Sequence, residues 1–462
     1  MENERLRRLP NMNALLEHPL LRGETRARVK DAAREVLDAL RSEALSGTLE
    51  AVPSADDCAA RVLELLRQER QPSLRRVVNA TGIVLHTNLG RAPLGEALYR
   101  RAEDVFTGYS NLEYDLAAGR RGSRHAHVEA LICALTGAEA AMVVNNNAAA
   151  VFLMLAAAAG GKSVAVSRGE LVEIGGSFRV PDIMDRSGAV LYEVGTTNRT
   201  RLSDYAAAVS DGAGALLKVH TSNYEIVGFT ESVSVSQLAG LARETGLPLL
   251  YDMGSCFLFD PKLPWLRDCM TARGGIEDGA DLICFSGDKL PGATQAGIAA
   301  GRKDLIERMK KHPLSRMLRP DKLTLQVLES ALEISRYPEE AKRQLPALAM
   351  LSAPEEDLKA RAEALEAQLR PLFPGWKLQT VPVADEPGGG SLPNVEIPGW
   401  AVSVIPSDRS VDALEEALRR GETPIVARIR EGSLLLSMRT LLPGDEEKLL
   451  RAFSSLPSAA DS

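Results

Sequence analysis

Ser286-Gly287-Asp288-Lys289 follows the short apolar run Leu282-Ile283-Cys284-Phe285 and precedes a glycine-containing loop that ends at Gly297. A lysine at the end of a buried strand is a poor structural choice but a good Schiff-base nucleophile. About 37 residues earlier a second apolar run, Pro248-Leu249-Leu250-Tyr251, delivers Asp252, followed by Met253 and Gly254. Alone, Ser-Gly-Asp-Lys also reads as a polar turn with a solvated lysine. With Asp252 beside it, the pair has the make-up of a pyridoxal phosphate site, in which the acid keeps the ring nitrogen protonated and the lysine holds the aldehyde.

Working outward, residues 76–330 hold short apolar runs alternating with helical stretches: Ala141–Val144, Ser163–Val166, Ala189–Tyr192, Ala215–Val219, Pro248–Tyr251, Asp281–Phe285 and Gly297–Ala300. Such alternation predicts an α/β fold with a mostly parallel central sheet covered on both faces. Ligands of such sheets bind beyond the carboxyl ends of the strands, where each motif named here falls. Residues 331–462 begin with helical material (Glu355–Leu369) and continue with strand and helix segments around Val395–Pro406 and Leu434–Met438, a smaller α+β domain containing the flexible run Gly388-Gly389-Gly390-Ser391. Residues 1–75 space apolar positions helically (Val29, Ala32, Ala33, Val36, Leu37, Leu40, then Ala60, Val62, Leu63, Leu65, Leu66), a small helical domain closed by the linker Gln71-Pro72-Ser73.

A cofactor phosphate needs a cradle. Asn145-Asn146-Asn147 separates Met142-Val143-Val144 from an alanine-rich helix, so these asparagines occupy the N-cap and first turn, where free N–H groups and the helix dipole attract an anion. Ser286 adds a hydroxyl three residues before the lysine. The segment Gly169–Gly176, with Arg168, Glu170 and Glu173, is expected to cover the cofactor's other face, and Glu173 and His220 are counted among the cofactor contacts. His86 and His220 both lie near strand ends, where structural and catalytic roles stay equally open.

Composition sets the outer limits. At 462 residues and 45% hydrophobic content the chain is long enough for a large core and more than one domain. The net charge of −7 excludes a global basic field, leaving any polyanion to be met locally. Through Arg76 the chain carries 14 basic and 13 acidic residues, and Arg5, Arg7, Arg8, Arg22, Arg26, Arg28 and Lys30 form a loose basic cluster, either a solvated helix face or an anion-binding surface. Five cysteines (Cys58, Cys133, Cys256, Cys269, Cys284) stand at no metal-ligand spacing and read as core residues of a reducing compartment. No apolar run is long enough to span a membrane and the N-terminus is too charged for a secretory signal, so a cytoplasmic location without membrane partners is expected.

Asn79–Arg91, Tyr114-Asp115, Arg120–Arg124, Val144–Ala148, Ser167–Glu170, Val219–Tyr224 and Phe285–Leu290 resemble the bacterial L-seryl-tRNA(Sec) selenium transferases over nearly the whole chain. The resemblance implies an aspartate-aminotransferase-like fold (pyridoxal phosphate fold type I), Lys289 as the cofactor-bearing residue, a tRNA-binding N-terminal domain, and a homodecamer built as a ring of dimers with active sites at subunit interfaces. It implies conversion of seryl-tRNA(Sec) to selenocysteinyl-tRNA(Sec): β-elimination of water to an aminoacrylyl-tRNA, then addition of selenium from selenophosphate. The family's donor arginines fall on Arg91, Arg316 and Arg319, the latter two spaced i, i+3 as if to form a fork on one helical face. Arg439, after Leu434–Met438, is a further substrate-binding candidate, placed where related folds bind a carboxylate. Two positions depart from the family pattern: Pro291–Thr294 replaces a more glycine-rich loop, and Glu225 stands where an arginine is common. Two other readings remain at this stage. One is a pyridoxal phosphate ammonia lyase or β-eliminase acting on an amino-sugar acid or small hydroxy amino acid; the other is a cofactor-less RNA-binding or scaffold homologue.

Overall fold

The computed structural model describes residues 8–49, 51–70, 72–174 and 178–456. Arg5 and Arg7 of the basic cluster, Gln71 of the linker and Gly175 and Gly176 of the covering segment lie outside the described residues. Two units separate between Arg76 and Val77.

The first unit is helical, with α1 (Met12–Leu16), α2 (Arg26–Ser46) and α3 (Ala55–Arg70). Leu15, Leu37, Leu40, Val62 and Leu66 meet in its core, so the helical spacing of apolar residues in the sequence is the spacing of one buried face. Gly47, with φ +77°, ends α2 in the left-handed conformation that glycine adopts without penalty. Arg8, Arg22, Arg26 and Lys30 are exposed.

The second unit opens with β1 (Val78–Ala80) and then builds a seven-stranded sheet from β2 (Ala140–Val144), β3 (Ser163–Ser167), β4 (Val190–Val194), β5 (Ala215–Val219), β6 (Leu249–Gly254), β7 (Leu282–Ser286) and β8 (Gly297–Gly301). Its order is β2-β8-β7-β6-β5-β3-β4. Strands β7, β6, β5, β3 and β4 run parallel, and β8 is antiparallel to both β7 and β2. Except at the edge strand β4, both faces are buried, which is why the strands read as apolar runs. In β7, Ile283 and Phe285 enter one core while Leu282 and Cys284 enter the other. Helix α4 (Asn147–Ala159) buries nine of its side chains and is apolar nearly all round.

The alternation of runs in the sequence therefore corresponds to a mostly parallel sheet, and two features depart from the linear reading. Helix α5 (Lys322–Ser335) spans the expected boundary at 330/331 and packs on helices Gly95–Thr107 and Ala126–Thr136 of the large sheet's layer. The C-terminal sheet, made of β9 (Lys377–Asp385), β10 (Ile397–Ile405), β11 (Ile425–Arg430) and β12 (Ser433–Ser437), takes β1 as its edge in the order β1-β11-β12-β10-β9. A strand at residue 78 that pairs with residue 425 leaves no local signal of its partner.

Candidate functional site

Lys289 lies just beyond β7, is 4% exposed, and donates from Nζ to the Gly390 carbonyl at 2.8 Å. The turn that delivers it needs a glycine, because a Cβ on Gly287 would stand 2.7 Å from the Thr294 carbonyl oxygen. Burial first and Arg91 second lower the Lys289 pKa to about 8, against the opposing pull of Asp252 and Asp288. Proline at 291 is accommodated because Gly292 takes φ +68° and its N–H returns to the Lys289 carbonyl at 2.8 Å.

Asp252, on the neighbouring strand β6, is buried with its two oxygens used unequally. Oδ1 accepts Asn147 Nδ2 at 2.8 Å, the Gly254 amide at 2.9 Å and Cys284 Sγ at 3.7 Å. No donor among the described residues reaches Oδ2. Burial pushes the Asp252 pKa up, while Asn147, the Gly254 amide, Lys289 and Cys284 pull it down.

Asn146 caps α4 by accepting the Ala149 amide at 2.8 Å, and Asn145 is exposed with its N–H bound to the Leu318 carbonyl at 2.9 Å. Gly297 passes so close beneath this turn that a Cβ would lie 2.0 Å from the Asn146 carbonyl oxygen. Ser286 pairs across β7 and β8 with that same Gly297 and is thereby brought to the start of α4. Asn147 donates its side-chain N–H to the Asp252 carboxylate and so links the start of α4 to the acid.

His220 follows β5, and its N–H donates to the Asp252 carbonyl at 2.8 Å. Its pKa falls to about 4 through burial, Lys218 and Lys289, so the ring is neutral. Nε2 of His220, Oδ1 of Asn147, Oγ of Ser222 and Nδ1 of His86 are buried without a hydrogen-bond partner among the described residues. Buried polar atoms are normally paired. Three of these four stand on segments bordering Asp252, a donor and acceptor set that a polar cofactor would complete. Arg91 pairs Nη1 with Asp288 Oδ2 at 2.8 Å beside the lysine, from a backbone at φ +61° that a non-glycine residue rarely adopts.

Other expected residues fall elsewhere. Glu173 is exposed on a short hairpin and paired with Arg179 at 2.8 Å. The buried acid of that segment is Glu170, 2.5 Å from Lys218 Nζ and bonded to the Val219 amide at 3.0 Å, next to His220. Arg439 is 2% exposed and commits three of its five N–H groups to Asp385 Oδ2 (3.0 Å) and the Met350 and Pro398 carbonyls, so it is a buried structural cation in this structure. Arg316 and Arg319 are not a fork on one helical face, since that helix covers only Leu314–Met317. They share a cavity of about 590 Å³ with Arg121, Arg124, Lys311 and Glu113, and neither Lys289 nor Asp252 lines it. Glu225 is not among the residues lining that cavity and accepts Asn394 Nδ2 at 3.2 Å.

Sequence reasoning missed the Asn147 and Cys284 contacts to Asp252, the Glu170–Lys218 pair and the approach of Gly390. The glycine run 388–390 was the one visible signal of the last.

Lys289 and Asp252 stand at the ends of adjacent strands of a mostly parallel sheet, with Ser286 and a helix N-terminus nearby, and the class is that of a pyridoxal phosphate-dependent α/β enzyme. The model of the L-seryl-tRNA selenium transferase family matches residues 77–442, and the chain belongs to that family. It is 48% identical over 457 residues to the L-seryl-tRNA(Sec) selenium transferase of Geobacter sulfurreducens, covering 98% of this chain and 99% of that one. It is 46% identical to the Moorella thermoacetica protein of the same name, covering 97% and 96%. Among solved structures, a D-glucosaminate-6-phosphate ammonia-lyase shares the fold, with a TM-score of 0.58 and 20% identity over 86% of this chain and 98% of that one.

Proposed function

We propose that this chain converts L-seryl-tRNA(Sec) to L-selenocysteinyl-tRNA(Sec), replacing the seryl β-hydroxyl by selenium. The observation that carries the chemistry is a buried lysine of lowered pKa beside an aspartate with one unengaged oxygen. Lys289 would hold pyridoxal 5'-phosphate, Asp252 Oδ2 would face its ring nitrogen, and Ser286 with the amides at the start of α4 would hold the phosphate. When bound, the cofactor supplies the electron sink that lets a seryl α-proton leave. Lys289 Nζ is the base for that proton, its lowered pKa leaving a usable fraction of neutral amine near neutral pH. Loss of the β-hydroxyl as water then frees the β-carbon for selenium.

The basic cavity around Arg316 and Arg319 suits an anionic selenium donor, selenophosphate, with Arg91 nearer the lysine. The link from Asn145 to Leu318 ties this cavity's wall to the start of α4. Exposed Arg8, Arg22, Arg26 and Lys30 support tRNA binding by the N-terminal unit. Exposed Tyr109, Leu116, Val227 and Phe229 support a homo-oligomer, which the family resemblance extends to a decameric ring of dimers. No helix among the described residues is long and apolar enough to cross a membrane, and all five cysteines are free; both fit a cytoplasmic setting.

The test mixes cofactor-loaded protein with seryl-tRNA(Sec) or, separately, free serine and follows the visible absorbance. A change with the charged tRNA alone is expected. A response to free amino acids with none to the tRNA would overturn the reading in favour of a small-substrate lyase.

A further inference from the structure

The segment 386–396 joins β9 to β10, about 100 residues after Lys289 in the chain. It is pinned at its start, where the Val84 and Leu85 amides donate to the Glu386 and Pro387 carbonyls at 3.0 and 2.8 Å. Buried Ser391 stands 3.4 Å, Oγ to Oγ, from Ser255, whose hydroxyl also accepts the Leu290 amide. Between these anchors the Gly390 carbonyl receives Lys289 Nζ. The three glycines are not equivalent. A Cβ on Gly388 (φ +110°) would lie 2.7 Å from the Leu85 carbonyl oxygen, and one on Gly390 (φ +78°) 3.0 Å from Lys289 Nζ. A Cβ on Gly389 would meet nothing nearer than Thr87 Oγ1 at 3.7 Å.

We propose that the Gly388–Ser391 loop is a positioning element of the reaction, its Gly390 carbonyl holding the amine of Lys289 whenever that amine is free. This deepens the reading of Lys289 as the cofactor-bearing residue and rests on it. A free lysine in a catalytic cycle must stay within reach of the reacting carbon, yet four rotatable bonds let it wander. A carboxylate partner would fix it only by favouring the ammonium form. The charged and titratable groups facing Nζ are Arg91, Asp252, Asp288 and His220. Asp288 is taken by Arg91, and Asp252 is held through Oδ1 by Asn147, Gly254 and Cys284. The neutral carbonyl fixes the amine without adding a full charge beside it.

The experiment pulses full-length, cofactor-stripped protein with acetic anhydride across a pH series and reads Lys289 acetylation by mass spectrometry. Wild type and Gly389→Ala are expected to share a midpoint near 8. In Gly390→Ala the released amine swings toward Asp252 or Asp288 and the midpoint rises by about one unit. A Gly390→Ala curve coincident with wild type overturns the proposal. If circular dichroism shows that Gly390→Ala does not fold, Ser391→Ala is read in its place: a smaller upward shift supports the proposal and an unchanged midpoint overturns it. The underlying reading fails separately, if prior loading with pyridoxal phosphate leaves wild-type Lys289 open to acetylation.

Discussion

Asp252 and Asp385 are both buried acids near the ends of strands, and they are wired in opposite ways. Asp385 uses both oxygens: Oδ1 accepts Ser437 Oγ at 2.8 Å and lies 3.7 Å from Arg428, while Oδ2 accepts Arg439 Nε at 3.0 Å. Backbone closes over it so tightly that a Cβ on Gly82 or Gly399 would stand about 2 Å from its oxygens. Asp252 gathers all its donors on Oδ1. The same contrast separates the cations. Arg439 directs three N–H groups at Asp385, Met350 and Pro398, whereas Lys289 Nζ donates to a single neutral carbonyl. A network closed on itself holds a fold together, and one left open on one side is ready for a ligand.

Substitution should divide the two regions cleanly, and the largest effect belongs to the open one. Lys289→Ala is expected to cut turnover by about 10³-fold or more and abolish covalent retention of the cofactor, with no loss of stability. Arg439→Ala should do the reverse, stripping buried Asp385 Oδ2 of its cation at a cost of about 3–5 kcal/mol, while the folded fraction keeps its turnover. Urea denaturation and steady-state kinetics on both variants check this. A stable but inactive Arg439→Ala protein would return that arginine to the substrate site.

The second effect is one of pH. Lys289 has its pKa depressed from 10.5 to about 8, so its neutral form dominates above about 8 instead of above 10.5. Uptake of pyridoxal phosphate by cofactor-free protein should rise about tenfold per pH unit below 8 and level off above it. A rise continuing to pH 10 would mean that the amine is solvated and the site more open than its burial shows.

The sequence made the sheet legible because strands covered on both faces must be continuously apolar, and it made Lys289 and Asp252 neighbours because their runs are successive strands. It did not separate Lys289 from Arg439, since each is a cation just after an apolar run and only distant partners distinguish them. Glu170 and Glu173 sit three residues apart in one motif, and the turn between them buries one and exposes the other. The Gly390 contact and the pairing of β1 with β11 join residues 101 and about 350 apart, where no periodicity carries information.

The smallest expected effect asks which neighbour keeps Asp252 lopsided. Asn147 donates to the carboxylate at 2.8 Å, a charge-assisted bond worth about 1.5–3 kcal/mol, whereas the Cys284 thiol at 3.7 Å is a weak donor. Both pull the Asp252 pKa down against burial, so losing either favours the protonated acid and loosens its hold on a ring proton. Asn147→Ala is therefore expected to lower turnover about tenfold and to shift the pH titration of the bound cofactor's visible band, while Cys284→Ala stays within about threefold of wild type. If Cys284→Ala shifts the band as far as Asn147→Ala, the carboxylate is fixed from β7 and not from α4. The start of α4 would then serve the phosphate alone, and the lopsided wiring of Asp252 would be a property of the sheet.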